Sequence, residues 1–258
     1  MLDFFDFHTH CGYAHNTYHS PTDLKRLVSV TPRMKGCLCS SLSGIFDYKT
    51  GEEDLRQSCQ TRGVIGAYWV NPYLPQWQDN VIRFCKGRQI PCIKLSPTAN
   101  IYEPTYKMLG PVWQFCEKRH KFIVIHTDPY RSNPVQLIPL LEKFPQVPVV
   151  LYHLSTGLEN IHIAKLFPQV YLETSFGEKI ADCMGIKMAL DVIGEDRLLF
   201  GTDFPIGWKS VGKSYVALHY KQLIKMYLMH VCKGDITQAQ KILYKNARQL
   251  LSEYGVQI

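Results

Sequence analysis

The chain has 258 residues, of which 46% are hydrophobic, 12% aromatic and 20% charged, a composition that supports a sizeable core and excludes a disordered or low-complexity protein. Its formal net charge of +7 invites a nucleic-acid reading, but the lysines and arginines are dispersed, whereas a phosphate-binding surface needs them clustered. No apolar run approaches the roughly 20 residues that span a bilayer, and Met1-Leu2-Asp3 lacks the basic start of a secretion signal, so we expect a cytoplasmic protein with no membrane partner.

The first strand-like run, Phe4–Phe7, leads to a helix with Ser20 as cap and Pro21 in its first turn. A second run, Met34–Cys39, precedes a helix that Thr50 and Glu53 open as a capping box. Runs over Val64–Val70, Pro91–Leu95 and Phe122–Ile125 follow. Between the last two, Lys118-Arg119-His120-Lys121 falls at a helix end, where cations offset the dipole. Asn133-Pro134 starts a helix whose apolar face (Val135, Leu137, Ile138, Leu140, Leu141) Pro139 should kink or shorten. The remaining runs are Val147–Leu151, Val170–Leu172 and Leu198–Phe200. Two more helices then close the chain, the last capped at Asp235-Ile236-Thr237-Gln238. Eight strands, each followed by a helix, have the size and order of a (β/α)8 TIM barrel, one α/β domain over residues 1–258 with an extra C-terminal helix. A doubly wound open sheet is the competing architecture. The nine cysteines lack a framework spacing and fit reduced thiols, with Cys37 and Cys39 read as core filling.

Polar residues that a parallel strand should not bury recur just past the C-terminal ends of these runs, and in a barrel those ends meet on one face. The first ends Asp6-Phe7-His8-Thr9-His10, the fourth carries Lys94, the fifth ends His126-Thr127-Asp128, the sixth ends at His153 and the eighth ends Gly201-Thr202-Asp203. Side chains two apart on a strand point the same way, so His8 and His10 can aim at one metal ion. Alone, such a pair is weak and fits loop hydrogen bonds equally well. With His126, His153 and Asp203 at corresponding ends, it reads as a metal site.

These residues resemble the amidohydrolase superfamily, in particular the amidohydrolase-related group that includes decarboxylases of aromatic and muconate-type acids and lactone hydrolases. The resemblance runs through Asp6-Phe7-His8-Thr9-His10, Ile93-Lys94-Leu95-Ser96-Pro97, Ile125-His126-Thr127-Asp128, Tyr152-His153-Leu154-Ser155, Gly201-Thr202-Asp203-Phe204-Pro205 and the closing Asn246-Ala247-Arg248-Gln249-Leu250. It implies one divalent metal ion, zinc by donor chemistry, on His8, His10, His126 and Asp203. It further implies Asp203 and His153 as the catalytic groups: Asp203 takes a proton from water, and His153 orients the water or stabilises the oxyanion. The plain alternative for His153 is a hydrogen bond in the barrel rim. Lys94 is the open point. Two-metal relatives bridge their ions with a carbamylated lysine at this strand end, whereas Lys-Leu-x-Pro resembles the one-metal branch, where the ammonium faces the substrate. One metal is the expected arrangement.

Arg131 is a second substrate-binding candidate, beside a reading as an exposed arginine. His15, His19, Tyr13 and Tyr18 belong to the first strand-to-helix loop, and Glu173 and Ser175 read as supporting groups behind the site. Gly207-Trp208-Lys209-Ser210-Val211-Gly212-Lys213-Ser214 satisfies the P-loop pattern letter for letter. No strand runs directly into Gly207 and the remainder of the chain reads as helical, so an ordinary loop, or at most a phosphate contact at Gly212-Lys213-Ser214, is the better reading. The expected activity is hydrolysis of a small cyclic amide, lactone or ester, with decarboxylation as the alternative. A phosphoesterase would need further acidic ligands, and a scaffold or nucleic-acid-binding role rests on charge alone. The expected partner is a small molecule with an anionic group, homodimerisation being compatible with the same reading.

Overall fold

The computed structural model describes residues 2–14, 17–88, 90–154, 157–176 and 183–258. Its strands are β1 (Phe4–Ala14), β2 (Thr17–His19), β3 (Met34–Ser41), β4 (Val64–Trp69), β5 (Cys92–Leu95), β6 (Phe122–His126), β7 (Val149–Tyr152), β8 (Val170–Glu173) and β9 (Leu198–Leu199). They form one sheet in the order β2-β1-β3-β4-β5-β6-β7-β8-β9. Every neighbouring pair is parallel except β1 with β2, a hairpin that returns Thr17–His19 along Gly12–Ala14. The sheet curls until its ends meet. Phe7 N–H donates to the Phe200 carbonyl at 2.8 Å and His10 N–H to that of Phe204 at 2.6 Å, joining β1 to the segment after β9. The result is the TIM-barrel form of an α/β fold. Each of the eight parallel strands overlaps a run read from sequence, but β1 continues from Phe7 to Ala14, so His8 and His10 lie within the strand and not past its end, and β2 is an addition.

Alternation along each strand divides the core. Phe5, Phe7, Leu38, Ala67, Cys92, Phe122, Val124, Val150 and Leu199 pack together inside the barrel, and Ala247, Leu250 and Leu251 join them from below. The intervening residues, such as Phe4, Cys37, Ile93, Ile123 and Val149, pack beneath the surrounding helices. Continued upward in steps of two, the inward series arrives at Lys94 after Cys92, His126 after Val124, Tyr152 after Val150 and Glu173 after Tyr171. Filling the lower barrel with hydrocarbon leaves the top for polar groups.

The helix starts follow local chemistry. In α1 (Pro21–Val30), Ser20 and Asp23 form a capping box, with Ser20 N–H donating to Asp23 at 3.0 Å. α2 (Tyr48–Ser58) begins earlier than Thr50, because Asp47 accepts from the N–H groups of Lys49 and Thr50. Glu53, freed from capping, pairs with Arg56 instead. α3 (Trp77–Cys85) and the short α4 (Pro97–Asn100) precede α5 (Tyr106–Arg119), which ends at the expected basic group with His120 left-handed. Asn133 caps a 3-10 turn, Pro134–Leu137, after which α6 (Ile138–Lys143) starts afresh with Pro139 in its first turn. The proline therefore shortens the helix rather than kinking it. α7 (Glu159–Leu166) and α8 (Met184–Ile193) flank the last strands. α9 (Lys213–Met226), α10 (Ile236–Gln240, capped by Asp235) and α11 (Asn246–Glu253) complete the chain. Buried Asn246 donates to the carbonyls of Glu195 and Leu198, fixing α11 under β9. Among the described residues no helix is long and apolar enough to cross a membrane.

Candidate metal centre

β1 changes register against β3 between Asp6 and Thr9. His8 lies on this irregular stretch and His10 just past it, opposite Ser40, and their Nε2 atoms come to 3.0 Å from each other. Asp203, held in the left-handed region at φ 58°, places Oδ1 3.1 Å from His8 Nε2 and 2.9 Å from His10 Nε2. These three buried groups therefore converge on one point.

The outer ring nitrogens decide the protonation. His8 Nδ1 lies 3.0 Å from Glu173 Oε2, and His10 Nδ1 lies 3.3 Å from the Ser40 carbonyl and 3.0 Å from its hydroxyl. A carbonyl or carboxylate accepts and does not donate, so each Nδ1 carries the proton and each Nε2 presents a lone pair. Two lone pairs and a carboxylate oxygen at such separations repel unless a cation lies among them. The donor set thus fits a divalent ion with metal–nitrogen bonds of about 2.0–2.1 Å. Burial, helped by the charge of Lys94, holds the His8 imidazole well below its ordinary pKa, which favours the neutral ligating form. Burial also pushes the Glu173 carboxyl well up, against hydrogen bonds from Ser175. A cation on the far side of His8 would favour its ionised form.

A second layer ties this cradle to the barrel. Glu173 accepts from Ser175 Oγ at 2.8 Å and from His153 N–H at 3.3 Å, and Ser175 Oγ also lies 2.9 Å from His153 Nδ1. His153 has φ 68°, a left-handed backbone that turns its ring into the cavity one residue beyond inward-facing Tyr152. Gly201 packs against Glu173, and a Cβ there would stand 2.2 Å from Oε1. Buried Asp6 accepts from the N–H groups of His8 (3.0 Å) and Thr202 (3.1 Å) and from the hydroxyls of Thr202 and Tyr220. Burial pushes its carboxyl up to about 7, against the hydrogen bonds from Thr202 and Tyr220. One carboxylate thereby spans the two chain segments that bear His8 and Asp203.

The remaining residues named from sequence are distributed around a cavity of about 360 Å³ at the C-terminal ends of the strands, lined in part by His10, Lys94, His126, His153 and Asp203. His126 lies outside the three-atom cluster. Its ring is 4.6 Å from that of His153, and its Nε2 is turned toward Asp128 Oδ2 at 3.5 Å, holding that carboxyl well below the usual range. Lys94 is 2% exposed. Its Nζ lies 4.0 Å over the Tyr152 ring and 5.6 Å from that of Trp69, and burial pushes its pKa down to about 7. Arg131 sits in a turn that Asp128 organises by accepting the N–H groups of Tyr130, Arg131 and Ser132. Its side chain does not line the cavity. His19 belongs to β2, also off the cavity, and His15 and Ser155 lie outside the described residues. Trp69, Tyr152 and Ser40 were not named as site residues. The signal for all three was the inward phase of their strands, since Trp69 follows Ala67, Tyr152 follows Val150 and Ser40 follows Leu38.

The P-loop lookalike has no strand leading into it. Asp203 and the cis Phe204-Pro205 bond separate β9 from Gly207, which ends a turn over 205–207, residues 208–212 are irregular, and the helix begins at Lys213. The pattern is one of letters without the strand–loop–helix geometry it needs.

A family model described as amidohydrolase matches residues 47–252. No curated protein sequence matches the chain. Among solved structures, an uncharacterized TIM-barrel protein from Bordetella bronchiseptica superposes with a TM-score of 0.68 at 17% identity, covering 99% of this chain and 100% of that one. The 5-carboxyvanillate decarboxylase from Sphingomonas paucimobilis gives 0.66 at 14% identity, with coverages of 98% and 99%. Dihydroorotase from Campylobacter jejuni gives 0.66 at 14%, with coverages of 100% and 84%.

Proposed function

The chain belongs to the amidohydrolase family and is a metal-dependent enzyme of that superfamily, and on that premise we propose that it hydrolyses a small cyclic amide, lactone or ester in the cavity above its barrel. The observation that carries the reading is the meeting of His8 Nε2, His10 Nε2 and Asp203 Oδ1 within 3.1 Å of one another while Glu173 and Ser40 occupy the outer nitrogens. His8, His10 and Asp203 would hold one zinc ion, with His126 as a further ligand from across the cavity. A bound divalent ion of this kind lowers the pKa of a water from 15.7 to about 7 and so supplies a nucleophile near neutral pH.

The protein's own groups do the rest. Asp203 would accept the proton of the attacking water, and His153, braced by Ser175 at 2.9 Å, would orient that water or stabilise the developing oxyanion. Lys94 serves as an ammonium that binds an anionic substrate group. The Tyr152 and Trp69 faces around its Nζ favour a cation and would disfavour the anionic carbamate of a two-metal site. Decarboxylation of an aromatic or muconate-type acid is the second reading, favoured by the similarity to the fold of a decarboxylase and by the same lysine. We further propose a small-molecule partner and a cytoplasmic location.

Elemental analysis combined with a screen of lactones, amides, esters and aromatic acids tests both readings. About one zinc per chain and turnover of a carbonyl substrate are expected. Release of carbon dioxide from an aromatic acid would select the second reading, and absence of both metal and turnover would overturn the two together.

A further inference from the structure

The cavity has an unlike lining. Beside His10, Lys94, His126, His153 and Asp203 it includes Tyr13, Leu42, Ile45 and Phe46, with Trp69 adjoining the polar group, its ring 6.3 Å from that of His10. No arginine lines it among the described residues, and its one lysine stands at the metal end. Thr98, near the mouth, has its hydroxyl engaged by Asp128 and Ser132. Among the described residues, this part of the lining therefore offers mainly hydrocarbon and no charged side chain.

Phe46 is the residue that this arrangement leaves unexplained. It is 83% exposed, and Tyr13 is 54% exposed, although both line the cavity. Phe46 is also held firmly. Its N–H donates to the Ser43 carbonyl at 3.1 Å, the next residue, Asp47, caps α2, and Gly44 beneath it packs on Trp69 at a distance that leaves a Cβ only 3.1 Å of room. An exposed aromatic side chain on a pinned backbone, lining a reactive cavity, is a wall awaiting an apolar surface.

We infer that Phe46 and Tyr13 form a subsite for an uncharged alkyl or aryl arm of the substrate, which is an amphiphile with its reacting acyl group at His10 and Asp203 and its hydrocarbon directed out through the mouth. This deepens the hydrolase reading and rests on it for the placement of the acyl end. It expects a substrate charged at the metal end alone to bind better than one charged at both ends.

Alkyl hydroxamates, which chelate metal ions through one end, separate the two ideas. Calorimetric titration of the zinc-loaded protein with acetohydroxamate and octanohydroxamate should show the longer ligand bound at least tenfold more tightly, as expected where each buried methylene contributes about fourfold. In Phe46→Ala, whose folding is checked by thermal unfolding, that ratio should collapse toward unity. Suberic monohydroxamate, with a terminal carboxylate, should bind more weakly than octanohydroxamate. Equal affinity for short and long chains, a ratio unaffected by Phe46→Ala, or preference for the terminal carboxylate would each overturn the proposal. Failure of every hydroxamate to bind would count against the metal centre instead. The subsite is then judged on metal-free protein by titrating octanamide and acetamide against the Trp69 fluorescence, with Trp69→Phe as control. A preference for octanamide that Phe46→Ala abolishes supports it, and none overturns it.

Discussion

Two side chains at the cavity carry the chemistry that distinguishes the alternatives. Lys94 is an amine with its pKa pushed down to about 7 by burial, and its Nζ makes no hydrogen bond among the described residues beyond its place over Tyr152. An anionic substrate group beside it would favour the ammonium form, which has no lone pair for a metal, so Lys94→Ala should keep about one zinc per chain while kcat/KM falls by roughly 10- to 100-fold, the scale of losing a charge-assisted contact to substrate. Metal analysis with steady-state kinetics checks this. Bicarbonate-dependent activity with two metals per chain, dropping in the variant, would instead identify a carbamate. His153 adjoins the three-group cluster and contacts it through Glu173 and Ser175. His153→Asn is expected to retain metal and to lower kcat by about 100-fold or more, as for a lost acid, base or oxyanion group. Loss of zinc in that variant would show His153 to be a ligand.

At the scale of elements, the site depends on how β8, β9 and β1 lean together. Glu173 ends β8 and reaches His8 on β1, and it fits because Gly201, just after β9, has no side chain. Gly201→Ala would put a methyl 2.2 Å from Glu173 Oε1 and push the carboxylate off His8. The expected result is a metal affinity lowered about 10- to 100-fold, the usual cost of disturbing a ligand's partner, read by competition with a chelating dye. Unaltered affinity would mean that Glu173 does not orient His8. The same interdependence explains the one helix start that local pattern misplaced. The cap at Asp47 was missed because Thr50 and Glu53 make an equally good local pattern, and only the packing of Gly51 on Gly44 fixes where the chain turns into α2.

For the molecule as a whole, metal and fold should be linked. His8 and His10 come from the first strand and Asp203 from the segment after the last, which only the closed barrel brings together, so an unfolded chain offers no such site and binding must stabilise the native state. With zinc at about 100 times its Kd the gain is about 2.7 kcal/mol, which for a chain of this size corresponds to a Tm higher by roughly 5–10 °C. Thermal unfolding before and after dialysis against a chelator measures it, and an unchanged Tm would argue against a metal seated among these residues.

The order of strands and helices, the shared direction of His8 and His10 and the grouping of unusual polar residues at strand ends were legible in the sequence alone. Those features are local: alternation with period two, caps and breakers operate within a few residues. His8, His10 and Asp203 were legible because each stands where an apolar series stops abruptly. Only the tertiary structure decided which of the strand-end groups meet. His126 turns to Asp128 and Arg131 to the outside of the cavity, because an ion-pairing distance of 3.5 Å and a backbone turn organised by Asp128 involve directions that spacing does not encode. The same holds for Asp6, whose partner Tyr220 lies 214 residues away. A carboxylate that accepts from two chain segments is a property of barrel closure, and closure is a contact between the two ends of the sheet that neither end specifies alone.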